Sequence, residues 1–370
     1  MLSDLVKSLL AEIDVKIDGD RPWDIRVHDD DFYGRVIREG SLGLGESYMD
    51  GWWDCEQLDE LMYRVSKADL EARVRGRMNF WIAWHVLWQR YMTGPRRRAF
   101  EIAERHYDIG NDLFRMMLDK RMVYTCGYWQ KARTLEEAQE EKLELICKKI
   151  GLKHSMRVLD IGGGWGSFAK YAAERYHASV VNITVSREQL ELANKLCAGL
   201  PVESRLQDYR DVDEKFDAIV SLGMFEHVGP RHYDAYMEVA RRCLNDDGLC
   251  LLHTIGRNET AGPSDAWIGK YIFPNSALPS AKLIAEAVEG KFIIEDWHNF
   301  GMDYSWTLLA WHDNFERHWP QLKEKYGERF RRMWRYYLLS CAGAFRARSI
   351  QLWQVVLSKQ GVPGGYKSVR

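Results

Sequence analysis

The run Asp160-Ile161-Gly162-Gly163-Gly164-Trp165-Gly166 stands out in this 370-residue chain as a segment able to hold a ligand. It follows the apolar pair Val158-Leu159 and opens onto a segment with helical spacing. Glycine lets a backbone turn sharply and lie against a ligand, and a helix start offers free N–H groups to polar atoms. A strand before and a helix after favour a nucleotide-type ligand over a plain turn. A dinucleotide-binding unit usually places an acidic residue at the end of the next strand, about 20 residues on. Here that stretch reads Val181-Asn182-Ile183-Thr184-Val185-Ser186-Arg187-Glu188-Gln189, and its strand end is neutral. Thr184 and Gln189 can hydrogen-bond a ribose or an amino-acid moiety.

Other reactive side chains have two readings each. Glu226 and His227 follow the apolar run FDAIVSLG, and a carboxylate just past a buried strand lies at the ligand edge of a sheet. His253 lies inside Leu251-Leu252-His253-Thr254-Ile255, as a satisfied core histidine or as a strand-end site residue. Cys126 is a buried small residue or part of a site. Tyr304 alone reads as an ordinary loop tyrosine, and Asp208 as a plain loop charge.

The elements that must position these groups are visible from residue 157 onward. MRVLDIG, SVVNITV, FDAIVSLG and GLCLLHTIG read as buried strands. Between them, Gly166 to Tyr176 and Arg187 to Leu200 have helical spacing. This alternation implies an α/β fold with a mostly parallel sheet covered on both faces. The end of the chain, from about Asp313, reads as helix rich in Arg and aromatics, followed by a short tail. Residues 1–95 form a separate N-terminal region with a Gly-rich turn at Ser41 to Glu46. The aromatic segment Met78 to Met92, with Trp81, Trp84 and Trp88 at helical spacing, reads as a helix ending near Thr93-Gly94-Pro95. Arg96-Arg97-Arg98 then leads into a second domain, residues 96–370.

Composition narrows the function. The formal net charge is -2, so no global basic field attracts nucleic acid. Seven scattered Cys without a C-x-x-C pair give neither a metal site nor a disulfide framework, and fit a reducing cytoplasm. The N-terminus lacks the pattern of a signal peptide. No apolar stretch reaches the roughly 20 residues a spanning helix needs. Contact with a membrane would therefore be one-sided. Fifteen Trp and eighteen Tyr suit a surface that meets lipid.

The segments SLGLGESYMDGWWD, HYDIGNDLF, VYTCGYW, VLDIGGGWGS, LQDYRD, SLGMFEHVG, LLHTIG, KYIFPN, EDWHNFGMDY and CAGAFRARSIQLWQ add a resemblance. From about Ser41 to Val356 the chain resembles the cyclopropane-fatty-acyl-phospholipid synthases and their mycolic acid relatives. The resemblance implies a class I S-adenosylmethionine-dependent methyltransferase sheet, Rossmann-like, with a smaller, mainly helical N-terminal domain. It implies methylene transfer from S-adenosylmethionine to the cis double bond of an unsaturated phospholipid acyl chain. The alternative is a lipid C-methyltransferase giving a methyl-branched or methylene product. The implied base is a bound bicarbonate ion, caged by Cys126, Glu226, His253, the backbone of Ile255, and Tyr304. For the cofactor, Tyr124 and Thr125 would meet the methionine end, and Gly162, Gly163, Gly164 and Gly166 the turn. Thr184 and Gln189 would meet the ribose region, and Gln207, Asp208 and Tyr209 the adenine. A homodimer at the inner face of the membrane is also implied. Gly163 stands where the family often has Cys, and Asn182 where it often has Gly.

Overall fold

Four apolar runs become neighbouring strands of one sheet. They are β1 (Arg157–Ile161), β2 (Ser179–Thr184), β4 (Phe216–Leu222) and β5 (Leu244–Arg257). Three more strands complete it: β3 (Val202–Leu206), β6 (Ile293–Asn299) and β7 (Ile350–Ser358). The order across the sheet is β3-β2-β1-β4-β5-β7-β6. β3, β2, β1, β4 and β5 pair in parallel, and β6 pairs antiparallel with β7.

The computed structural model describes residues 2–68, 110–260 and 265–370. The chain forms two units. The unit holding this sheet comprises residues 94–260, 276–303 and 351–370; the other comprises 1–93, 261–275 and 304–350. The boundary expected at residue 95, the aromatic segment Met78 to Met92 with its three Trp, and Arg96 to Arg98 lie outside the described residues.

In the sheet unit, alternate residues of each strand feed opposite faces. Leu159 and Ile161 of β1 join Val181, Ile183, Ile219 and Leu252 in one core. Val158 joins Val180, Ala218, Val220 and Leu251 in the other, under Leu143, Ile146 and Cys147 of helix Leu135–Lys149. That helix starts at a capping box, in which the Thr134 side chain accepts from Glu137 N–H and Glu137 reaches back to Thr134 N–H. Helices Ser167–Tyr176 and Arg187–Leu196 follow β1 and β2, as the sequence pattern predicts.

The chain end departs from the expected helix and tail. Helix Glu328–Arg346 stops, and β7 then enters the sheet between β5 and β6. Every residue of β7 past Ile350 is buried, so its apolar run lacks the alternation that marks a half-exposed strand.

In the other unit, Ser41 to Glu46 is not a turn but the start of helix Ser41–Met49. Its glycines serve close packing. A Cβ at Gly43 would lie 2.5 Å from the Arg35 carbonyl oxygen, and one at Gly45 2.3 Å from the Trp267 ring. Glu46 is buried there and accepts from Arg35, Lys270 and Tyr271, contacts that outweigh burial and hold its pKa down. No described helix is long and apolar enough to cross a membrane.

Candidate active site

The glycine-rich turn lies at the carboxyl ends of β1 and β4, where the strand order reverses, and such a switch point is where ligands bind this kind of sheet. Gly162, Gly164 and Gly166 adopt φ of 76°, 58° and 80°, values that side chains disfavour. Gly162 and Gly164 wall a cavity of about 80 Å³, whereas Gly166, expected at the same turn, faces helix Arg187–Leu196 and the adjoining Cys197, whose Sγ would lie 3.0 Å from a Cβ there. Tyr124, Thr125, Gly163 and Gln189, all expected at the site, line the cavity too.

Thr184 acts one step back. Its hydroxyl donates to Gln189 Oε1 (2.7 Å) and accepts from Ser186 N–H, so it fixes Gln189. The Gln189 amide nitrogen is thereby turned toward Gly164. Past β3, Gln207 donates to the Asp211 carbonyl, and the Asp208 carboxylate accepts from Arg210. Tyr209 packs against Tyr236 in the core.

The two departures from the family pattern meet in space. A Cβ at Gly163 would fall 2.1 Å from Asn182 Oδ1 and 2.2 Å from Asp160 Oδ2. The Asn182 side chain thus takes up room that a side chain at 163 would need. Asn182 donates to Ser204 Oγ (3.2 Å), while its Oδ1 and both Asp160 oxygens are buried without a hydrogen-bond partner among the described residues. Burial pushes the Asp160 carboxyl up to about 7, against the pull of the Lys142 charge.

A second group lies at the ends of β4 and β5, where Leu222 pairs with His253. A single 3-10 turn, Phe225–His227, projects Glu226 inward. Glu226 Oε1 accepts from Ile255 N–H at 2.6 Å, and Oε2 is buried without a partner among the described residues. Burial raises its pKa to about 7, with the Ile255 bond opposing. His227 lies in the same turn, and burial lowers its pKa to about 4.

His253 is 1% exposed, and burial, then the charges of Lys142 and Lys149, hold its pKa well below the usual range, so it is neutral. The buried Gln354 amide nitrogen lies 3.3 Å from His253 Nδ1. An amide NH₂ only donates, so Nδ1 accepts and Nε2 carries the proton. Nε2 has no partner among the described residues. Among the described residues a buried N–H donor and a buried carboxyl oxygen thus both lack partners, the complement of a small oxyanion that bears a hydroxyl.

Cys126 is fully buried and its thiol donates to the Gly127 carbonyl (3.0 Å). Cys126, Glu226, His253 and Ile255 belong to the sheet unit. Tyr304 belongs to the other unit, stacked on Phe345 at 4.6 Å between centroids. The sequence pattern passed over Lys142 and Gln354, and gave Asp160 and Trp165 only as members of the glycine-rich run. Lys142, Asp160 and Trp165 line the cavity, and the Trp165 indole donates to Asn111 (3.0 Å). No group of three His, Cys, Asp or Glu among the described residues could hold a metal ion.

A family profile described as mycolic acid cyclopropane synthetase matches residues 95–355. The chain belongs to that family. It is 51% identical over 367 residues to the cyclopropane-fatty-acyl-phospholipid synthase of Escherichia coli, spanning 99% of this chain and 95% of that one. A cyclopropane synthase structure from Mycobacterium tuberculosis superposes with a TM-score of 0.67 at 30% identity, over 72% of this chain and all of that chain. A mycolic acid cyclopropane synthase crystallised with S-adenosylhomocysteine (SAH) and CTAB gives a TM-score of 0.66 at 32% identity, over 72% and 99%. Family and fold together make this chain an S-adenosylmethionine-dependent methyltransferase with the class I sheet that the sequence implies.

Proposed function

We propose that this enzyme transfers a methylene unit from S-adenosylmethionine to the cis double bond of an unsaturated phospholipid acyl chain and closes a cyclopropane ring. What carries this reading is the pair of buried, unpartnered atoms, Glu226 Oε2 and His253 Nε2, in the same unit as a glycine-walled cavity. S-adenosylmethionine supplies an electrophilic methyl group when bound, and bicarbonate supplies a base for the proton lost on ring closure.

Tyr124, Thr125, Gly162 to Gly164 and Gln189 hold the amino-acid end and ribose of the cofactor, with Gln207, Asp208 and Tyr209 toward the adenine. His253 donates Nε2–H to the anion. Glu226, oriented by the Ile255 backbone, faces the anion's hydroxyl. Cys126 and Tyr304 carry over from the resemblance alone. The dry surroundings of Glu226 and His253 keep water from the developing cation. Aromatic faces such as Phe300, 6.0 Å from the His253 ring, lend it electron density.

The deciding experiment incubates the protein with labelled S-adenosylmethionine and unsaturated phospholipid vesicles, then identifies the lipid by mass and NMR. A ring at the former double bond supports the proposal. A methyl-branched or methylene product instead assigns the chain to the lipid C-methyltransferases. Peripheral binding at the cytoplasmic face, through the N-terminal region of residues 1–95, belongs to the same proposal. Binding to vesicles should require anionic lipid and weaken with salt. Sedimentation of the purified protein tests the homodimer that the family leads us to expect.

A further inference from the structure

We propose that Lys142 positions the carboxylate of the cofactor's methionine end by acting through the Thr125 hydroxyl, an inference that rests on the cofactor reading above. Lys142 sits mid-way along helix Leu135–Lys149, is fully buried, and borders the same cavity as Thr125. Its Nζ donates to Thr125 Oγ1 at 2.8 Å. An ammonium has protons to give and no lone pair to receive one. The Thr125 oxygen is therefore an acceptor here, and its own proton must point to another acceptor. From the same helix, the Gln139 amide nitrogen donates to the Thr125 carbonyl at 2.8 Å and holds the backbone still.

The charge balance around Lys142 points the same way. The groups that face it are Asp119, Cys126, Asp160 and His253. Asp119 is occupied by the N–H groups of Arg121 and Val123. Burial raises the Asp160 carboxyl to about 7, so it is only partly ionised at neutral pH, and His253 is neutral. Among the described residues Lys142 makes no direct ion pair; opposite charge reaches it only at longer range, from Asp119 first, and a buried ammonium without a close counter-charge is costly. An α-amino-acid carboxylate at Thr125 adds a further negative charge on the cavity side and accepts the Thr125 proton. A ligand lacking that carboxylate gains nothing from Lys142.

The test compares two ligands by calorimetry: SAH, and 5′-methylthioadenosine, which shares the nucleoside and sulfur but lacks the amino-acid end. Lys142→Met should weaken SAH about 10- to 100-fold, the range of a charge-assisted contact, and leave methylthioadenosine within about 3-fold. Thr125→Val should produce a similar loss, and the double variant should lose little more than either single one. Burial lowers the Lys142 pKa to about 8, so its charge is present below that pH and fades above it. SAH affinity of the wild type should therefore fall from pH 7 to 9 more steeply than that of Lys142→Met, with methylthioadenosine flat in both. Equal weakening of both ligands, unchanged SAH binding, or additive losses in the double variant would each overturn the proposal. Should Lys142→Met fail to fold, Thr125→Val and the wild-type pH profile decide it alone. Binding of neither ligand by the wild type would instead bring down the cofactor reading itself.

Discussion

Introducing a side chain at residue 163 should be harmful in this chain and harmless once Asn182 is removed. Gly163 is not among the glycines with positive φ, so its backbone accepts a Cβ and only space decides. The Cβ of Gly163→Ala would lie 2.1 Å from Asn182 Oδ1 and 2.2 Å from Asp160 Oδ2. Comfortable contact between heavy atoms needs about 3.5 Å, so two fully buried groups must shift by more than 1 Å each. Overpacking of this kind costs about 1–3 kcal/mol, and two immobile neighbours put it toward the upper end. Asn182→Gly alone should cost about 1 kcal/mol, from the glycine's added freedom in a strand. It vacates the volume into which the Asp160 carboxyl can turn. The double variant should then be about 1–2 kcal/mol more stable than the sum of the single effects. Gly163→Cys with Asn182→Gly, which restores the family's usual pair, should behave alike. Urea unfolding followed by tryptophan fluorescence measures the cycle. Additivity within about 0.5 kcal/mol would refute the argument that the two positions compensate each other.

Three further outcomes can be checked. Glu226→Gln should bind SAH within about 3-fold of wild type yet lose about 100-fold or more in turnover, and a near wild-type rate would remove Glu226 from the chemistry. Gln354→Glu should draw the His253 proton from Nε2 to Nδ1, because a carboxylate accepts where the amide donated; nitrogen NMR of labelled histidine reports the tautomer, and an unchanged spectrum contradicts the assignment. Asp160→Asn should flatten the pH dependence of stability. In the folded protein this carboxyl holds its proton up to about 7, whereas unfolded it ionises near 4. The wild type therefore binds more protons when folded across that window and loses stability as pH rises through it. The variant should gain about 2–4 kcal/mol on the wild type between pH 5 and 8, and parallel curves in urea would dismiss the shifted carboxyl.

What could be read beforehand depended on burial pattern. β1, β2, β4 and β5 each carry a short buried apolar run, and those were legible. β3, with sequence VESRL, is only partly covered and looks like loop. β7 was hidden for the opposite reason: it is buried on both faces, and its sequence IQLWQVVLS, without a period of two, reads after a long helix as more helix. The cofactor turn was legible because glycine spacing is local. Lys142 was not, because in LEEAQEEKLELICKK it is one charge among many, and only the packing of that helix under β1 makes it buried. The close approach of Gly163 and Asn182 joins the turn after β1 to β2 and has no signature in either segment alone.

The placement of β7 has a consequence for how the protein is made. The chain departs the sheet unit after residue 303, builds helices elsewhere, and returns at 351 to fill the slot between β5 and β6. Until those residues leave the ribosome, two bare strand edges wait in the nascent chain, open to pairing with a neighbouring polypeptide. Completion of the sheet is thus a late, long-range event. Synthesis rate and the supply of chaperones should govern the yield of active enzyme more than the strength of any contact within it.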